Sequence, residues 1–318
     1  MSKKIIFMGT PAFATASLEA LINAGFTISA VVTAPDRPAG RGRQLRASDV
    51  KQRALELGLP VLQPEKLKDP AFHAELDKFR ADLYVVVAFR MLPALVWERP
   101  PLGTLNLHAS VLPDYRGAAP INWAIINGEK KTGVSTFFIQ GEIDMGDLLL
   151  QSETDIGPDE NAGQLHDRLK LMGAELLVAT VKDIFDGTMD AVPQSGFAGG
   201  DRHAAPKINT VDCRIPWERD AKRLHDLVRG LAPSPGAWTT WNEPDRPARQ
   251  LKILRTHPVK SGKNHTEYGR LYTDQGRLFV QCGTGELELL ELQMEGKRPM
   301  TAKDLLNGTG AVDQVVLR

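Results

Sequence analysis

Cysteine is nearly missing: Cys213 and Cys282 are the only two in 318 residues, and they lie far apart in no CxxC pair. Two such thiols neither build a disulfide framework nor hold a metal by themselves, and a reducing cytoplasm is the simplest home. No run approaches the roughly 18 apolar residues that a membrane-spanning helix needs. The amino terminus, MSKKIIFMGT, also lacks the apolar core and small-residue cleavage site of a secretory signal. A cytoplasmic protein without membrane contact is therefore expected. An excess of one charge is absent too, since 39 Lys and Arg offset 39 Asp and Glu, and a global basic footprint for nucleic acid is excluded. No internal repeat or low-complexity tract is present. The segment FMGTPAF carries one glycine rather than GxGxxG, which makes a dinucleotide site a weak reading. No Ser-His or Cys-His nucleophile motif is apparent.

What is present reads as a globular α/β chain. An apolar fraction of 42% and a charged fraction of 25% are ordinary for a packed protein, and the length accommodates two domains. KIIFMG, ISAVVTA, LPVLQ, LYVVVAF, LGTLNLHAS and TGVSTFFIQ read as strands. Helical spacing lies between them, over 13–24, 48–58, 70–80 and 119–127, and a longer helix is predicted over 159–186. LYVVVAF is β-branched without alternation, as a strand covered on both faces would be. Strands alternating with helices predict a mostly parallel sheet, and a first domain is placed at 1–188. Residues 189–210, rich in Gly, Pro and Ala, read as a linker. Beyond it, one helix over 218–230 and short strands at 251–256, 268–273, 277–282 and 286–293 predict a small β-barrel domain at 211–318. Trp217, Trp238 and Trp241 are expected in its core.

Ligands of parallel α/β sheets sit beyond the carboxyl ends of the strands. Asn106 and His108 lie there, two residues apart and so on one face of their strand. The following loop, Ser110 to Gly117, is polar and turn-rich after an apolar strand, which suits a ligand wall. A single histidine at a strand end also serves as a hydrogen-bonded structural residue, and an acidic loop residue such as Asp144 is commonly just solvated. Acyl transfer to an amine would use all three types. It needs donors for the developing oxyanion, removal of a proton from the amine and protonation of the leaving nitrogen. The other histidines, His73, His166, His203, His225, His257 and His265, stand beside no second ligand at metal spacing.

Positive charge is concentrated locally. Arg37, Arg41, Arg43, Arg46, Lys51 and Arg53 face only Asp36 and Asp49 over residues 36–53, and the chain from residue 205 onward is net positive. The loop PDRPAGRGRQLR cannot pack a core, and Arg41 between Gly40 and Gly42 is free to approach a groove or a phosphate. A basic loop of this kind is also commonly just solvated; if it binds a partner, Arg41 and Arg43 are the candidate contacts to RNA.

Taken together these segments resemble the folate-dependent formyltransferases. The resemblance is carried by FMGTPAFA at 7–14, APDRPAGRGR at 34–43, NLHASVLPDYRGAAPINWAI at 106–125 and IDMGD at 143–147, with a looser likeness at 217–238. It implies a Rossmann-like catalytic domain followed by a small barrel of the oligonucleotide-binding type. It implies that Asn106, His108 and Asp144 form the catalytic trio and that Ser110, Val111, Leu112 and Pro113 line the tetrahydrofolate. The implied co-substrate is 10-formyltetrahydrofolate, with no metal. The implied acceptor is the α-amine of methionine carried by initiator tRNA; the chain itself is expected to be a monomer. Two departures stand out. Phe89-Arg90 replaces a common Tyr-Gly, placing a bulky cation at the expected folate rim, and Met145 replaces a common Thr beside Asp144. Three other readings remain: a formyltransferase for another amine, a hydrolase releasing formate from the same folate, and a non-catalytic RNA-binding protein.

Overall fold

Apolar runs of four to eight residues bounded by turn signals become buried strands when helices cover both faces. In the computed structural model they form one seven-stranded sheet. Its order is Leu148–Asp155, Lys131–Phe138, Thr104–His108, Leu83–Val87, Lys4–Gly9, Thr27–Val32 and Val61–Leu62. The five strands from Thr104–His108 outward pair in parallel, whereas Lys131–Phe138 runs antiparallel to Thr104–His108. The structure describes residues 3–39, 44–196, 203–244, 246–259, 267–309 and 312–318. Arg41 and Arg43 lie outside them.

Every residue of Leu83–Val87 is buried, which explains the unbroken apolar run. Each such aliphatic side chain contributes about 1.5–3 kcal/mol on burial. The helix Ala12–Asn23 follows the first strand so closely that a Cβ at Gly9 would stand 2.6 Å from the Ala14 Cβ. The lone glycine of FMGTPAF thus permits strand–helix contact. Ser48 caps the helix Asp49–Glu56 by accepting from the Lys51 N–H at 3.1 Å, and Asp69 caps Pro70–Lys78 through the Ala71 N–H at 2.9 Å. A hairpin pairs Arg37–Ala39 with Gln44–Arg46.

The chain divides into two compact units. One comprises Met1–Gly117, Gly133–Thr154 and His166–Ala204; the other comprises Ala118–Thr132, Asp155–Leu165 and Ala205–Arg318. The division is therefore not a single cut, and the described part of the segment expected to be a linker is built into the first unit as far as Ala204. There Val192 pairs with Leu148, and the Tyr115 N–H donates to the His203 carbonyl at 2.7 Å.

The second unit holds an antiparallel sheet in the order Leu271–Asp274, Arg277–Gln281, Glu286–Met294, Arg249–Val259, Ala237–Asn242 and Val316–Leu317. The Leu271 N–H donates to Val315 O, and the Leu317 N–H to Gly269 O, so the two outer strands meet and the sheet closes. Its core includes Trp217 and Trp241, with Trp238 partly buried against it. The helix Ala221–Leu231 opens with Asp220 accepting from the Arg223 N–H. It buries a charged cluster: Asp226 receives Arg229 Nε at 2.7 Å, and Arg229 Nη1 reaches the Gly157 and Glu160 carbonyls. Among the described residues, no helix is long and apolar enough to cross a membrane.

Candidate active site

The strand Thr104–His108 is central in its sheet, and the loop at its carboxyl end is held from within. Ser135 Oγ donates to Ser110 O at 2.7 Å and accepts from the Leu112 N–H at 3.0 Å. Gln151 Nε2 adds bonds to Leu112 O at 2.7 Å and Ser135 Oγ at 2.9 Å. The Ser110 side chain is fully buried, bonding Asp114 O at 2.6 Å, and Leu112 is 1% exposed. Only Val111 and Pro113 of this stretch are partly exposed.

His108 is buried, and its Nε2 lies 2.8 Å from Tyr115 O. A carbonyl only accepts, so Nε2 carries the proton and Nδ1 is the nitrogen left for other partners. Nδ1 stands 3.7 Å from Asp144 Oδ2, close enough for electrostatic pairing but beyond direct hydrogen bonding. That same Oδ2 accepts the Gly117 N–H at 2.9 Å. Asn106 is partly exposed on the strand, and its carboxamide has no hydrogen-bond partner among the described residues. The structure thus brings His108 and Asp144 together and leaves Asn106, two residues along the strand, with a free amide.

The route of Asp144 to this place is indirect. The strand before it is antiparallel, and it ends beside the far end of the histidine strand, with the Ile139 N–H on Thr104 O at 2.8 Å. Residues 139–147 must then turn back to reach His108. Asp144 takes φ 55°, and Tyr115 and Ala88 take 59° and 47°. These are left-handed values that non-glycine residues adopt at a cost and that cluster at functional sites.

Sequence reasoning missed the residues that fasten this arrangement: Ser135, Gln151, the Tyr115 carbonyl, the Gly117 amide and Gln194. Gln194 Nε2 donates to the carbonyls of Asp144 at 2.9 Å and Gly146 at 2.7 Å, and its Oε1 accepts from Arg116. A buried serine within an apolar strand was a readable signal for Ser135; the others act through the backbone or across long sequence distances. Arg90, expected as a bulky cation at the rim, donates instead to the carbonyls of Glu65, at 2.9 Å, and Pro64. Its guanidinium lies 5.6 Å from the Phe89 ring, and burial together with the Arg37 charge lowers its pKa. Met145 is exposed beside Asp144.

Comparison with known proteins shows the family of the chain. The model of the formyl transferase family matches residues 3–181, and that of the formyl transferase C-terminal domain matches 207–310. A methionyl-tRNA formyltransferase from Parabacteroides distasonis is 47% identical over 309 residues, 96% of this chain and 95% of the relative. Another, from Flavobacterium johnsoniae, is 45% identical over 98% of both chains. At the level of fold alone, the chain is similar to HypX from Aquifex aeolicus in complex with tetrahydrofolic acid, with a TM-score of 0.66 at 16% identity. That likeness covers 98% of this chain and 48% of HypX. It is also similar to an N-formyltransferase from Helicobacter canadensis bound to folinic acid and dTDP-3-aminofucose, with a TM-score of 0.63 at 17% identity over 92% and 100% of the two chains. The chain belongs to the formyl transferase family.

Proposed function

We propose that this enzyme transfers the formyl group of 10-formyltetrahydrofolate to the α-amine of methionine on initiator tRNA. The observation that carries the reading is the grouping of a free Asn106 amide, the His108 imidazole and the Asp144 carboxylate at one central strand, in a chain with relatives of that name over nearly its whole length. In the proposed chemistry the amine nitrogen attacks the formyl carbon directly, and the Asn106 amide and the His108 imidazolium, protonated at Nδ1, stabilise the oxyanion that develops. The bond from that carbon to folate N10 then breaks; the amine loses a proton and N10 gains one. With Nε2 committed to Tyr115 O, Nδ1 is the histidine atom that exchanges protons. Asp144, 3.7 Å away, balances the charge and relays protons by a bridging water. No step uses a metal.

Val111 and Pro113 offer the partly exposed side chains of the proposed folate contact, while Ser110 and Leu112 support it from behind. Arg41 and Arg43 are proposed to contact the tRNA. The described flanks of their loop place Arg37 directly across from Arg46, a like-charged pair that is unfavourable alone and relieved by an anionic partner. The reaction is proposed to divide between a catalytic region at 1–188 and a tRNA-binding region at 211–318, acting as a monomer in the cytoplasm. The test is to supply labelled 10-formyltetrahydrofolate with charged initiator tRNA or with free methionine. Label on methionyl-tRNA alone is expected. Formylation of free methionine only, or formate release without tRNA, would overturn the reading.

A further inference from the structure

We infer that Gln194 is a positioning residue for the formyl transfer proposed above, on which this role rests: it sets the Asp144 carboxylate against His108. Gln194 lies between the two family matches, in a stretch covered by neither, and is 2% exposed. All of its hydrogen-bonding capacity is directed at the site's framework. The two Nε2 protons go to Asp144 O at 2.9 Å and Gly146 O at 2.7 Å. Oε1 accepts from Arg116 Nε at 3.1 Å and Nη2 at 2.6 Å. A buried carboxamide so completely satisfied holds its partners in one arrangement.

Those partners are the two backbone pieces that aim the reacting groups. Arg116 stands between Tyr115, whose carbonyl fixes His108 Nε2 at 2.8 Å, and Gly117, whose N–H fixes Asp144 Oδ2 at 2.9 Å. On the other side, Asp144 is held at φ 55°, a left-handed conformation that is costly for a non-glycine residue and persists only where surroundings enforce it. Gln194 thus ties residues 115–117 to residues 144–146 with one side chain. These bonds reach neither the His108 ring nor the Asp144 carboxylate, so Gln194 acts on both through the backbone that carries them.

The test uses the full-length enzyme with saturating 10-formyltetrahydrofolate and charged initiator tRNA. Because displacement by about 1 Å can cost about 10²-fold in rate, Gln194→Ala should lower kcat roughly 10- to 100-fold while the folate KM moves less than about threefold. In an Asp144→Asn background the same substitution should lower the residual rate less than about threefold, because the group it positions is already gone. A purely structural residue would give the same fold loss in both backgrounds, and that result, or a kcat within about twofold of wild type, overturns the role. Gln194→Glu keeps the size and the arginine partner but turns an oxygen toward two carbonyls. It should lose kcat in the same way, and it carries the test if Gln194→Ala does not fold. Wild type run alongside separates the two claims: an inactive wild type refutes the formyl-transfer reading, whereas an active one beside an unimpaired Gln194 variant refutes only the positioning role.

Discussion

Gly146 is the position where a single methyl group should do most damage to the site. A Cβ built there would lie 1.6 Å from Phe138 O and 2.9 Å from the Phe138 carbonyl carbon, where real contacts stay above 3.0 Å. The Phe138 backbone cannot swing aside freely, since its N–H is bonded to Asp147 O at 3.0 Å and the neighbouring Ile139 N–H to Thr104 O. Residues 144–147 must therefore move, by at least about 1.4 Å to restore even a 3.0 Å contact, and Asp144 moves with them. A shift of that size is on the scale that costs about 10²-fold in rate, equivalent to about 2.7 kcal/mol of barrier. Gly146→Ala should thus reduce single-turnover formylation of methionyl-tRNA by about two orders of magnitude, measured well below the melting temperature. Folate binding, followed by titration, should change much less. A Gly146→Ala enzyme that turns over within about twofold of wild type would show that the Asp144 loop tolerates displacement, and the geometric account of the site would fail.

Three further outcomes are expected. His108→Ala should lower kcat by at least about 10²-fold, the scale of lost proton transfer or oxyanion stabilisation, and near-normal turnover would exclude His108 from the chemistry. Ser135→Ala orphans the Ser110 carbonyl and the Leu112 N–H inside the protein. At about 1–3 kcal/mol for each of the two buried unsatisfied groups, unfolding in denaturant should reveal a loss of about 2–6 kcal/mol, and an unchanged midpoint would contradict the network. Burial lowers the pKa of His225, whose ring bonds Thr256 Oγ1 at 3.0 Å. Its stabilising contribution is therefore full above the ordinary histidine value and is lost as pH falls below about 6.5, by at most about 1.4 kcal/mol per pH unit. Denaturation between pH 7.5 and 5 should be less pH-sensitive in His225→Gln; an unaltered slope would assign the sensitivity elsewhere.

The legible parts of this chain were those where local pattern and burial agree. Leu83–Val87 and Lys4–Gly9 are apolar because both faces are covered, and Asn106 and His108 share a face by strand geometry alone. Leu148–Asp155 was not read as a strand. Its residues alternate between buried and exposed with Gln, Ser, Glu and Asp in the series, so polarity hides the extended backbone. Ala237–Asn242 alternates likewise, with Thr at two positions. Asp144 was identified by likeness to the family, and no local rule could have placed it. The strand ahead of it runs against its neighbour, so the expectation that sites lie beyond carboxyl ends points it away from His108. Gln194 was the least visible, because its partners lie 50, 48 and 78 residues away and its own surroundings have the Gly, Pro and Ala content of a linker.

Backbone strain and hydrogen bonding together explain why the site needs that supposed linker. Tyr115 and Asp144 each sit at a positive φ, which at of order 1–3 kcal/mol apiece opposes the folded loops. Tyr115 is held at both ends, its N–H by His203 O at 2.7 Å and its carbonyl by His108 Nε2, while its ring stacks on the His203 ring at 5.3 Å. Asp144 is held by Gly117 and Gln194. At about 1 kcal/mol net, each of these bonds is comparable to the strain that it opposes. Two of these four fixings, His203 O and Gln194 Nε2, come from residues 194–203. Without them the Tyr115 N–H loses the His203 carbonyl and the Asp144 carbonyl loses the Gln194 amide, so the positive φ of each residue is less firmly held. Relaxation of either would pull the carboxylate and the imidazole apart, so the segment after the parallel sheet is as necessary to the paired geometry as the strand that carries His108.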